Sequence, residues 1–60
     1  MTNTNLLLSI IKNIETGSYD DAHDDAYCLP TKVGRKIQLA IQTNRDKDAL
    51  LIARLAIGNI

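Results

Sequence analysis

Apolar residues recur along this chain at three- and four-residue intervals, the period that gathers them on one side of an α-helix. Leu6, Leu7, Ile10, Ile11 and Ile14 form the first stripe, with the capping types Thr2-Asn3-Thr4-Asn5 before it and Gly17 after it. This predicts a helix over 4–16. Ser18-Tyr19-Asp20-Asp21 has the form of a capping box with Asp in place of the usual Glu or Gln, which predicts a second helix over 18–28. Its inward side is expected at Tyr19, Ala22, Ala26 and Leu29, with His23 at the border and four aspartates outward. Pro30 ends that helix, because proline disfavours helical geometry at the residue before it, and Pro30 or Thr31 opens a third over 31–43. Val33, Ile37, Ala40 and Ile41 are its stripe. Thr43-Asn44-Arg45 then turns into a fourth helix over 46–57, capped by Asn44 or Asp46 and closed by Gly58 in the left-handed position. Ile60 is placed to fold back on that last turn. The expected fold is all-α, a bundle of four short helices in one domain, 1–60. No internal repeat is evident beyond the mirror-like run from Tyr19 to Tyr27.

The fourth helix changes the picture, because it is apolar on nearly every side. Leu50 and Ile57 share one side, Leu51 and Leu55 a second, and Ile52, Ala49 and Ala56 a third. A membrane span needs about 18–20 apolar residues, roughly twice this run. A domain of this length buries only about 60% of its unfolded surface. A homo-oligomer is therefore expected, with Leu50, Leu51, Ile52, Leu55 and Ile57 at its interface. Leu8 and Leu39 fall off their stripes and add to the apolar surplus.

Composition narrows the setting. The only aromatics are Tyr19 and Tyr27, so the core must be aliphatic. Cys28 is the single cysteine and the N-terminus has no basic segment ahead of its apolar run, which together point to the cytoplasm. Net charge is zero, yet the charges are segregated. Residues 1–30 hold one lysine against five acids, net −4, and residues 31–60 hold six cations against two acids, net +4. Pairing of the two halves, within a subunit or between subunits, is the simplest use of that split.

Three clusters invite a chemical reading. Asp20, Asp21 and Asp24 have the spacing D-D-x-x-D, which resembles the aspartate-rich motif of isoprenoid synthases. That motif belongs to a large helical fold that 60 residues cannot build. One exposed helix also supplies too few oxygens for a hard cation, so no metal and no cofactor is expected. Tyr19 and Tyr27 flank His23 at four residues on either side, which suggests a stacked cluster along one side of the helix. His23 has no sequence-evident nucleophile beside it, and an enzyme is not expected. Lys32, Gly34, Arg35 and Lys36 open the third helix, where unpaired backbone N–H groups favour an anion such as a nucleotide. Gly34 lowers helix stability by about 1 kcal/mol relative to alanine, so a neighbouring backbone or a ligand must come close there. The same cations would serve a helix-turn-helix on DNA, although four aspartates would then face the phosphates.

These features favour a non-enzymatic interaction protein that binds another macromolecule as inhibitor or adaptor. Stoichiometric inhibitors of the kind phages deploy against host defences have this size. Tyr19, Asp20, Asp21, Asp24, Asp25 and Tyr27 are the expected partner-facing surface, because Tyr is favoured at interfaces and an acidic stripe orients a basic partner. An oligomeric binder of a small anion is the first alternative, and a small DNA-binding protein the second.

Overall fold

The computed structural model describes residues 3–29 and 32–58, and every described secondary-structure element is helical. Helix α1 spans Asn3–Glu15, α2 Tyr19–Tyr27, α3 Lys32–Gln42 and α4 Asp46–Gly58. Each lies within a few residues of the range the sequence predicts. The expected openings at Pro30 or Thr31 and the return of Ile60 fall outside the described residues.

The two tight turns are built alike. After α1, Gly17 takes φ 81°, and its N–H donates to the Ile14 carbonyl while that of Ser18 donates to Asn13. After α3, Asn44 takes φ 60°, and its N–H donates to Ile41 while that of Arg45 donates to Ala40. Both are Schellman closures, which satisfy carbonyls that the helix end would otherwise leave bare. In each, a threonine hydroxyl folds back on its own helix: Thr16 onto Lys12 and Asn13, Thr43 onto Leu39 and Ala40.

Several expected caps are replaced. Asn44 is the left-handed closing residue of α3, and Arg45 stands at the N-cap of α4, its carbonyl accepting from Ala49 N–H. Ser18 holds the N-cap of α2 through its carbonyl to Ala22, but its side chain makes no cap hydrogen bond, so the capping box does not form. Gly58 continues α4 rather than closing it with a positive φ.

The likeness of the turns extends to whole hairpins. At an offset of 27 residues, Ile10, Ile14, Thr16, Asp21, Ala22 and Ala26 coincide with Ile37, Ile41, Thr43, Asp48, Ala49 and Ala53. The hairpins α1–α2 and α3–α4 thus share these six residues and the geometry of their turns. Their packing matches as well, for α1 and α3 each lie against both α2 and α4.

The core follows the same rule. Ile10 of α1 and Ile37 of α3 are its largest fully buried side chains, and Ala22, Ala26, Ala49 and Ala53 of α2 and α4 meet them. Large against small lets the layers interdigitate without voids. Leu6, Leu7, Ile14, Leu29 and Ala40 complete the buried set. Gly34 is buried too, where α3 crosses the end of α2. A Cβ there would run into the Ala26 carbonyl oxygen and lie 2.9 Å from Leu29 Cβ. Backbone approach therefore explains this glycine.

Helix α4 is one wall of a four-membered ring rather than a central rod. Leu50, Ile52, Ala56 and Ile57 pack half-buried against the core, while Leu51 and Leu55 stay 56% and 59% exposed. No described helix is long and apolar enough to cross a membrane.

Candidate functional site

Helix α2 divides its aspartates between the seam with α1 and the open surface. Asp25 is turned onto α1, where its carboxylate accepts from Ser9 Oγ at 2.6 Å and Asn13 Nδ2 at 3.0 Å. It is half-buried, so it belongs to the α1–α2 seam rather than to an open surface. Asp20, Asp21 and Asp24 are exposed. Among the described residues none of them forms an ion pair with the cations of α3; the pair found there joins Arg54 Nη2 of α4 to Glu15 Oε2 of α1 at 3.5 Å. Among the described residues the acidic and basic halves are therefore joined by Glu15 and Arg54, and not through the aspartates of α2 and the cations of α3.

The aromatic and histidine side chains also separate. His23 is the stitch between α2 and α3: its carbonyl accepts from Gln38 Nε2 at 3.3 Å, and its Nε2 lies 2.9 Å from Gln42 Nε2. The Gln42 amide donates to that nitrogen when the neutral ring carries its proton on Nδ1. Tyr19 is 43% exposed rather than inward, because it stands at the first residue of α2, beyond the reach of the core. It shares a 350 Å³ depression with His23, Asp20, Gln42 and Asp46. Tyr27 is 79% exposed and borders a different, larger groove of 760 Å³ between α2 and α3. The three rings thus serve two adjoining hollows.

That larger groove has Ala26 and Leu29 at its base, Gln38 and Gln42 along α3, and Lys32, Arg35, Tyr27 and Leu39 among its lining. Leu39 is 61% exposed, which accounts for its place off the apolar stripe. The four residues expected to hold an anion do not converge. Lys32 and Arg35 share the groove, Gly34 is buried against α2, and Lys36 lines a separate furrow between α3 and α4 with Thr43, Arg45 and Asp48. Among the described residues no three His, Cys, Asp or Glu side chains gather as a metal ion would require. Cys28 is exposed, at the C-cap of α2.

The expected oligomer set divides in the same way. Leu51 and Leu55 remain on the surface as neighbours one turn apart, whereas Leu50, Ile52 and Ile57 pack against the core. Sequence reasoning did not single out Gln38 and Gln42, although their four-residue spacing places both amides on one side of α3. It also missed Asp46 as a neighbour of Asp20, which only the packing of the hairpins brings about.

No family model matches the chain, and neither a curated protein nor a solved structure matches it.

Proposed function

We propose that this chain is a non-enzymatic interaction protein that binds another macromolecule, as an inhibitor or adaptor, through the outer side of α2. The observation that carries this reading is the free acidic surface of Asp20, Asp21 and Asp24, which has no ion-pair partner among the described residues. Like charges four residues apart, as Asp20 and Asp24 are, weaken a helix by about 0.2–0.5 kcal/mol per pair. A short helix that keeps such a pair on its surface gains from a basic partner that relieves it. Complementary charge also speeds and orients the encounter. Asp25 takes no part, since Ser9 and Asn13 already occupy its carboxylate. The DNA-binding alternative is weaker, because Lys36 lies apart from Lys32 and Arg35, and Asp20 and Asp46 stand beside the same groove.

The test is affinity capture from the cells that express the protein, followed by titration of the purified captured partner. Binding should weaken at least tenfold in Asp21→Lys with Asp24→Lys, and should weaken as salt is raised. Undiminished binding by that double variant would remove the acidic surface from the reading.

A further inference from the structure

The two hairpins match, but the two seams between them do not. At the 27-residue offset, Glu15 and Arg54 correspond to Gln42 and Tyr27. Across α1 and α4, Glu15 and Arg54 close on one another as an ion pair. Across α2 and α3, the corresponding Gln42 and Tyr27 line an open groove, with Tyr27 more exposed than any other large apolar side chain described. Equivalent positions thus carry an ion pair across one seam and line a groove at the other.

The open side is also polar along its length. Lys32 and Arg35 stand at one end, and Asp20 and Asp46 at the other, with Gln42 common to both hollows. Arg35 and Gln42 are seven residues apart, which is about 10 Å along α3. An acidic ligand laid along this side would meet Asp20 and Asp46, and a basic one would meet Lys32 and Arg35. A surface that satisfies both ends must carry the two signs in reverse order.

This chain carries such a surface. A two-fold axis lying in the contact plane, perpendicular to α2 and α3, sets the acidic end of one copy opposite the basic end of the other. We infer that two copies dock through their α2–α3 sides in this antiparallel sense, Asp20 facing Arg35 of the second copy and the reverse. Tyr27 and Leu39, 79% and 61% exposed in the single chain, supply the apolar centre of the contact. Burial of such side chains holds the copies together, while the charges set the register and exclude the parallel arrangement. The contact leaves Asp21 on the α1 side of α2, and it requires no heterologous partner.

Sedimentation velocity on the full chain tests this, with circular dichroism to confirm that each variant keeps its helices. The wild type should sediment as a dimer at micromolar to submillimolar concentration. Asp20→Lys sets two pairs of like positive charges across the axis, and Arg35→Glu two pairs of like negative charges, so each variant alone should be monomeric. Mixed in equal amounts, they should recover a heterodimer, because one pair is then native and the other reversed. A monomeric wild type would overturn the inference. So would a dimer that survives both charge reversals, or one that dissociates only in Leu51→Glu with Leu55→Glu, which would place the contact on α4. Two monomeric variants that fail to recover on mixing would overturn it as well.

Discussion

Replacing Gly34 by alanine adds one methyl group at the point where α3 lies against the end of α2. In an open helix this exchange stabilises by roughly 1 kcal/mol, through helix propensity and a less flexible unfolded chain. Here the new carbon runs into the Ala26 carbonyl oxygen and sits 2.9 Å from Leu29 Cβ. Carbon atoms prefer about 3.5–4.0 Å, so α2 and α3 must part by on the order of 1 Å. Neither neighbour is the loose end of a flexible side chain. One is backbone, and the other is the first atom of a buried leucine. Overpacking of this kind destabilises by about 1–3 kcal/mol, occasionally more. The clash therefore exceeds the propensity gain, and a net loss of about 1–2 kcal/mol is expected. For a domain of this length, that lowers Tm by roughly 5–15 °C. Gly58→Ala is the control, since it lies in α4 with open space around it and should gain up to about 1 kcal/mol. Thermal and urea melts of both variants, at matched protein concentration, decide the matter. A Gly34→Ala protein as stable as the wild type, or more so, would refute the close approach of α2 and α3.

Two further substitutions separate structure from surface on α2. Asp25→Ala should destabilise by about 1–2 kcal/mol in urea melts, since its carboxylate accepts two side-chain hydrogen bonds from α1. Asp21→Ala should be neutral or stabilising by a few tenths of a kcal/mol, because it removes a like charge four residues from Asp25. Equal effects at the two positions would refute this division. At the turns, Asn44→Gly should raise stability by up to about 1 kcal/mol, since residue 44 holds a left-handed φ of 60°. Gly17→Ala, at φ 81° with open space around it, should lower stability by about 1–2 kcal/mol through backbone strain alone. Thermal melts check both signs.

The apolar period placed α1 and α3, because one face of each is buried and that burial leaves a 3.6-residue signature, whereas α2 and α4 were placed by the turn and capping residues that flank them. It also marked Leu8 and Leu39 as misfits, and both are exposed. Gly17 as a stop was legible because few other residues tolerate a left-handed φ. Asn44 was not legible in that role: asparagine also caps helix N-termini, and residue type alone does not choose between the two uses. The likeness of the two hairpins was not legible for a similar reason. Its coincidences are mostly isoleucine and alanine, which recur in any helical core, and the shared turn geometry is what gives them meaning.

For the candidate site, the sequence supplied the residue types and the segregation of charge, since both follow from composition along the chain. Which side chains share a surface was settled by packing between helices. Asp25 and Asp24 are adjacent in sequence, yet one is held by Ser9 and Asn13 of α1 and the other is exposed. Lys36 follows Arg35 directly, yet the two line different hollows, because α2 lies on one flank of α3 and α4 on the other. Gly34 showed in the sequence only as an unfavourable residue within a helix, and the crossing of α3 over α2 is what requires it. Local periodicity, propensity and charge were written in the chain, because each acts over a turn or two of helix. The open groove, the Glu15–Arg54 ion pair across α1 and α4 and the meeting of Asp20 with Asp46 at one hollow arise between segments far apart in sequence. Only the tertiary fold brings those segments together.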